Sequence, residues 1–315
     1  MTNTNIPKLD LGCIKRLTDE LSTELAKTST GRPPARAHNT FAGGIQKKHG
    51  SQFELENQYR LAWLFSCLAS LSKRQIIPSN LAGSFIQLAI NKIAIEVFGS
   101  NSLKVDDCQL ARAAGLFIEK LASGIEPNDF EEATSRTIKC LRHWIGKTNA
   151  LSDPLFSGWV YQYLIHRCDK QMKKGALLSG HTPFYTKWFT PSWIANFLVE
   201  DSISAANQTF IDPACGAGHI LVPALEKTVK LLTQEGLSSP NAVHSAIEKL
   251  LFGLEIDEQL SASANFSLYL ACRDIDANVA LPAANIFTAD APGGSLQLSQ
   301  GGVPQELFLM PVASK

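Results

Sequence analysis

Phe210-Ile211-Asp212-Pro213-Ala214-Cys215-Gly216-Ala217-Gly218 reads as a strand followed by a tight turn. Two apolar residues lead into an acid, a proline and two closely spaced glycines. Beyond them Ile220, Leu221, Ala224 and Leu225 recur at helical spacing, so a helix follows the turn. Glycine has no Cβ, and Gly216 and Gly218 therefore let backbone come close to a ligand. Asp212 falls where the strand ends, which is where open α/β sheets bind their ligands.

Two common nucleotide-binding patterns are excluded at this turn. The dinucleotide fingerprint Gly-x-Gly-x-x-Gly fails, because Ile220 and Leu221 follow where it would need its last glycine. The Gly-Lys-Ser/Thr of a phosphate-cradling loop is also absent.

Three other segments share the logic. Gly253-Leu254-Glu255-Ile256-Asp257 is an apolar strand ending in acids, a position that accepts hydrogen bonds from ribose hydroxyls in nucleoside-binding sheets. Asp257 suits a helix cap for Glu258 onward. Asn285-Ile286-Phe287-Thr288-Ala289-Asp290 is another strand ending in an acid. Upstream, Phe189-Thr190-Pro191 precedes a helix carrying Ile194, Ala195, Phe197 and Leu198, with Thr190 expected as N-cap and Pro191 as first helical residue.

In order, spacing and residue type these segments resemble the N6-adenine-specific DNA methyltransferases of gamma type, as in type I modification subunits and type IIG enzymes. The resemblance covers about 180–300. Asp-Pro-Ala-Cys-Gly-x-Gly resembles that family's motif I, Phe-Thr-Pro its motif X, Gly-x-Glu-Ile-Asp its motif II and the strand ending at Asp290 its motif III. The resemblance implies S-adenosylmethionine as cofactor. It assigns Phe189, Thr190 and Pro191 to the methionine part, and Asp212, Pro213, Ala214, Gly216 and Gly218 to the turn around the methionine ammonium. Glu255 would take the ribose diol, Ile256 the adenine face and Asp290 the adenine amine. Gly180 and Tyr185 echo residues that often precede motif X. The gap between Asp212 and Glu255 is long for the family and predicts an extra helix or loop around 236–248. RNA and protein-glutamine methyltransferases share these motifs, and a non-catalytic subunit that binds the cofactor or assembles with a partner is a further alternative.

The fold class implied is α/β, a Rossmann-like methyltransferase sheet that is incomplete at the C-terminus and preceded by an all-α domain. The family's catalytic (Asn/Asp)-Pro-Pro-(Tyr/Phe) is due after Glu306-Leu307-Phe308-Leu309-Met310, where Pro311-Val312-Ala313-Ser314-Lys315 stands instead. Pro33-Pro34 follows no strand and is no substitute. No catalytic residue is assigned, and a truncated or split methyltransferase, inactive by itself, is expected. DNA would be met through a further C-terminal part or a partner chain, and a second polypeptide would carry target recognition.

The rest of the chain sets bounds. Its 315 residues allow one large or two ordinary domains, and 45% hydrophobic content suffices for a core. With net charge zero, any DNA-binding surface must be local. Seven scattered cysteines without a Cys-x-x-Cys pair argue against a zinc site or disulfide frame and for reduced, cytoplasmic thiols. Cys140, His143, His166 and Cys168 share no metal-ligand spacing. No apolar run is long enough to span a membrane, and the polar N-terminus has no signal-peptide core.

Residues 1–52 are polar and partly basic, with a short helix over 9–25. The basic stretch 26–52 (Lys27, Arg32, Arg36, Lys47, Lys48) reads either as a solvated linker or as a phosphate-contacting arm. Helical patterns fill 53–175. Tyr59, Leu61, Ala62, Leu64, Phe65 and Leu68 mark one core face. Leu81, Phe85, Leu88, Ala89, Ile93 and Val97 mark another, and Ile138, Leu141, Trp144 and Ile145 a third. Asn128 with Glu131 is a plausible capping pair, and Asp153-Pro154 a helix start. From 180 to 315 short apolar strands (208–212, 251–256, 283–287, 305–310) alternate with helices, which predicts a parallel sheet with crossover helices.

Overall fold

The computed structural model describes residues 11–28, 45–172 and 188–288. The chain divides into two compact units, one from residues 1–107 with 114–189, the other from 108–113 with 190–315.

The first unit is mostly helical. It holds α1 (Leu11–Leu25), α2 (Ile45–Arg74), α3 (Phe85–Phe98), most of α4 (Gln109–Ala122), α5 (Pro127–Trp144) and α6 (Phe156–Met172). In α1 the buried residues Ile14, Leu17, Leu21 and Leu25 fall every three or four positions, the stripe of a helix with one inward face. The expected face of α2 from Tyr59 to Leu68 is buried. Aromatic rings interlock at the centre: Trp63 meets Tyr161 at 4.3 Å and Phe117 at 5.1 Å, and Phe130 meets Phe85 at 4.8 Å. Each such side chain contributes about 1.5–3 kcal/mol on burial.

This unit is not all-α. α2 ends at Arg74, Gln75 takes a left-handed φ of 57°, and the β-branched pair Ile76-Ile77 then extends into β1 (Ile76–Pro78). β1 pairs in parallel with β2 (Lys104–Asp106), Ile77 opposite Val105. Three side chains also depart from expectation. Leu88 is 68% exposed, because α3 is apolar nearly all round and turns Ile86, Ala89, Ile90, Ile93 and Val97 inward instead. Leu81 precedes α3, in a 3-10 turn. Ile145 ends up outside α5 and exposed, as its C-cap residue. α5 starts with Glu126 as N-cap and Pro127 in its first turn, so Asn128 already lies inside the helix. Asp153 stops short of α6, and its carboxylate accepts the Leu155 N–H at 2.7 Å.

The second unit carries three parallel strands in the order β3-β4-β5. β3 (Phe210–Asp212) pairs with β4 (Leu251–Glu255), setting Asp212 opposite Gly253, and β4 pairs with β5 (Asn285–Thr288), setting Glu255 opposite Thr288. Between β3 and β4 run α8 (Leu221–Gln234), α9 (Ser239–Ser245) and a π-helical turn over Ala246–Leu250. The long gap, expected to hold an extra helix or loop, is thus filled by an extra helix. The Asn285 side-chain amide donates to the carbonyls of Ile247 and Glu248, both at 3.0 Å, and so caps the wide turn. α10 (Glu258–Ile275) joins β4 to β5. Residues 108–113 belong here because the Gln109 N–H donates to Leu281 O at 3.2 Å and Gln109 Oε1 accepts from Ala283 at 3.0 Å. The strand expected over 305–310 lies outside the described residues. No described helix is long and apolar enough to cross a membrane.

Candidate functional site

The site is built where β3 and β4 end side by side. After Asp212 the chain turns back over β4. The Cys215 N–H donates to Leu254 O at 2.9 Å, and the Gly218 N–H closes the turn on Cys215 O at 2.8 Å. Gly216 and Gly218 have φ of 54° and 89°, a region that side chains with a Cβ rarely enter. α8 then begins at Leu221.

Asp212 is 6% exposed. Its Oδ1 accepts the Ala214 N–H at 3.1 Å, while Oδ2 is buried without a hydrogen-bond partner. Burial pushes the carboxyl pKa up; the Ala214 N–H opposes this, and the charge of Glu255 adds to it. An anionic oxygen held dry with no donor is a receptor for one.

Glu255 is also buried and is held by backbone on both oxygens. Oε2 accepts the Gly216 N–H at 2.8 Å and Oε1 the Asp257 N–H at 2.9 Å. Each oxygen keeps a second lone pair for a hydroxyl. Ile256, the next residue, is 66% exposed at the strand end, an apolar face beside the carboxylates. Asp257 caps α10, accepting from Gln259 N–H at 2.9 Å and Leu260 N–H at 3.3 Å. Pro213 and Ala214 are exposed on the turn.

Turn and strand end therefore bring together Asp212, Pro213, Ala214, Gly216, Gly218, Glu255 and Ile256. The Phe-Thr-Pro segment divides at the boundary of the units. Phe189 belongs to the first, where its N–H donates to Gln162 Oε1 at 2.7 Å and its ring lies near Trp159 and Tyr161. Thr190 and Pro191 precede α7 (Ser192–Ser202), which packs on α8. Thr190 is not the N-cap. Pro191 holds that position with an extended ψ of 142°, and its carbonyl accepts from Ile194 at 2.9 Å and Ala195 at 3.0 Å, so the helix starts one residue later than expected. Asp290, Gly180 and Tyr185 lie outside the described residues.

The sequence reading gave Gly253 no role of its own and passed over His219. A Cβ on Gly253 would lie 2.8 Å from Leu221 Cδ1 and 3.0 Å from Cys215 Sγ. Only glycine lets the turn and α8 settle this closely on β4. His219 follows the second glycine and is buried, and burial lowers its pKa to about 3, which keeps the ring neutral. Cys215 is buried packing, its thiol pushed up by burial and by the charges of Asp212 and Glu255, the opposite of an activated nucleophile.

Residues 156–298 match the family model described as N-6 DNA Methylase. Over that stretch the chain is similar to the N6-adenine DNA methylases. Among curated relatives, the adenine-specific methyltransferase PglX of Lacticaseibacillus casei (strain Zhang) is 29% identical over 164 residues, 37% of this chain and 14% of that protein. The adenine-specific methyltransferase BrxX of Escherichia coli O9:H4 (strain HS) is 24% identical over 164 residues, 39% of this chain and 14% of that protein. The match thus spans about a seventh of each relative. Among solved structures, the ATP-dependent Type ISP restriction-modification enzyme LlaBIII bound to DNA aligns over 89% of this chain and 17% of that one, at 12% identity and a TM-score of 0.36. So loose a likeness carries no argument.

Proposed function

We propose that the second unit forms the first half of the S-adenosylmethionine site of an N6-adenine DNA methyltransferase serving a restriction-modification or defence system, and that its three parallel strands are the first half of a Rossmann-like methyltransferase sheet. The match to the family model over 156–298 supports the class. The observation that carries the cofactor is the pairing of Asp212 and Glu255 across the glycine turn.

The residues present fit the cofactor's chemistry. Asp212 Oδ2 is a buried acceptor without a donor, suited to the methionine ammonium. Glu255 retains lone pairs for the ribose hydroxyls, and exposed Ile256 offers an apolar surface to adenine. The turn displays no phosphate cradle, and the cofactor carries no phosphate. When bound it supplies a sulfonium methyl group. The residues here hold and orient it and keep water from the Asp212 carboxylate. Transfer to adenine is assigned to an (Asn/Asp)-Pro-Pro-(Tyr/Phe) segment, which these 315 residues do not contain, so the testable step is binding.

Calorimetric titration of the 315-residue chain with S-adenosylmethionine should give saturable binding, with none for NAD. Asp212→Ala should weaken it about tenfold or more, the scale of a hydrogen bond to a charged group. A wild-type chain that takes up no S-adenosylmethionine would sink the proposal.

A further inference from the structure

Away from this site, α3 and α5 enclose a cleft of about 370 Å³ on the first unit, lined by Lys92 and Glu96 of α3 and by Ser135, Ile138, Lys139 and Arg142 of α5. Three cations from two helices face one lining acid. Ile138 is buried and forms an apolar floor.

The cations are held differently. The Arg142 guanidinium is fixed on the end of α3, with Nε donating to Glu96 O at 3.0 Å and an NH2 group to Glu96 Oε2 at 2.8 Å. Lys92 reaches the Ser135 hydroxyl at 3.3 Å and lies 3.8 Å from exposed Glu131. Lys139 enters no ion pair among the described residues; Glu24 on α1 is the acid its charge reaches. The Ser135 hydroxyl donates to Glu131 O at 3.1 Å and accepts from Lys92, so the two lysines are the groups that face the cleft.

A helix usually carries cations in its last turn to balance its dipole, and that explains Arg142 at the end of α5. It does not explain Lys92, which sits mid-helix in α3 (Phe85–Phe98), nor why both lysines line the same hollow. In a chain with zero net charge, such a concentration is local.

We propose that the α3–α5 cleft seats backbone phosphates of DNA, with Lys92 and Lys139 neutralising phosphodiester charge. The choice of DNA rests on the methyltransferase reading. Phosphate contacts of this kind fix position and register and carry no sequence information.

The test is fluorescence anisotropy of a short labelled duplex of arbitrary sequence with the 315-residue chain across a KCl series. Each phosphate neutralised adds about 0.9 to the slope of log affinity against log salt. Lys92→Gln and Lys139→Gln should each lower that slope by roughly one and weaken binding similarly for every sequence. Glu131→Gln, which removes an exposed acid beside Lys92, should tighten binding several-fold at fixed salt, and an unfolded variant cannot imitate a gain. Unchanged slopes in both lysine variants overturn the proposal, as does a wild-type chain that binds no duplex. Tighter binding of an RNA duplex of equal length overturns the assignment to DNA. Calorimetry with S-adenosylmethionine on the same variants separates the two readings. Cleft-dependent DNA binding in a chain that takes up no cofactor upholds the cleft and removes the methyltransferase. Cofactor binding with unmoved slopes does the reverse.

Discussion

Glu255 Oε2 accepts the Gly216 N–H at 2.8 Å across a sequence separation of 39 residues. This contact locks the glycine turn onto the end of β4, so the residue expected to meet the ribose also shapes the turn that meets the methionine. The two roles separate in a mutant pair. Glu255→Gln keeps one carbonyl oxygen and so one of the two backbone contacts, and it should cost about 1–2 kcal/mol in urea unfolding. Glu255→Ala loses both and should cost more, with cofactor affinity lowered at least tenfold. Wild-type affinity in Glu255→Ala would show that the turn holds its shape unaided.

Asp212→Asn should stabilise the free chain and weaken the cofactor. Burial raises the Asp212 pKa above 3.8, so the folded chain binds that proton more tightly than the unfolded one. Stability therefore falls as pH rises through 3.8 to the folded value, and the ionised state at neutral pH carries the penalty. The Asn variant removes the charge and keeps an acceptor for Ala214. Its melting temperature at pH 7 should rise by a few degrees, the scale of about 1 kcal/mol, while calorimetry records weaker S-adenosylmethionine binding. A lower melting temperature contradicts this account.

His219 makes stability depend on pH in the opposite sense. Its pKa drops from 6.5 to about 3 on folding, so the unfolded chain binds the proton first. Its contribution is complete above 6.5 and is lost progressively as pH falls toward 3. Denaturant titrations should show stability declining by up to about 1.4 kcal/mol per pH unit below 6.5. His219→Gln should flatten that slope; an equally steep slope in the variant places the titration elsewhere.

Gly115 in the first unit leaves no room for a methyl group. A Cβ there would sit 2.1 Å from Asn80 Oδ1 and 2.6 Å from Asn80 Cγ, and both polar atoms of that amide are buried without partners. Gly115→Ala should cost about 1–3 kcal/mol. Adding Asn80→Ala to the same chain should recover most of it, so the pair couples strongly in a double-mutant cycle. Additive effects would mean that the helix backbone, not Asn80, absorbs the strain.

How far the sequence discloses this molecule depends on the range of the forces involved. β3, β4 and β5 were legible because each is an apolar run ending at a polar residue, and the extra helix because only a longer crossover spans the gap. The Asp257 cap was legible for the same local reason. α7 starts a residue late because Pro191 stays extended, which the proline alone does not decide. Leu88 was misplaced because α3 has too little polarity for its inner face to be read by periodicity. β1 and β2 are three residues each, and Ile76-Ile77 reads equally well as helix. The Glu255–Gly216 contact, the crowding at Gly253 and the buried ring of His219 arise only when distant segments meet.

The π-helical turn at Ala246–Leu250, capped by the Asn285 amide, has a consequence for how this crossover can change over generations. A π turn takes up about one residue more than an α turn. Because the clamp comes from β5, a residue gained or lost in the loop between α8 and β4 can be absorbed in that turn. The alignment of Asp212 with Gly253, and with it the distance between the two carboxylates, is left untouched. The crossover is thus a place where lineages can differ in length while the site they share keeps its dimensions.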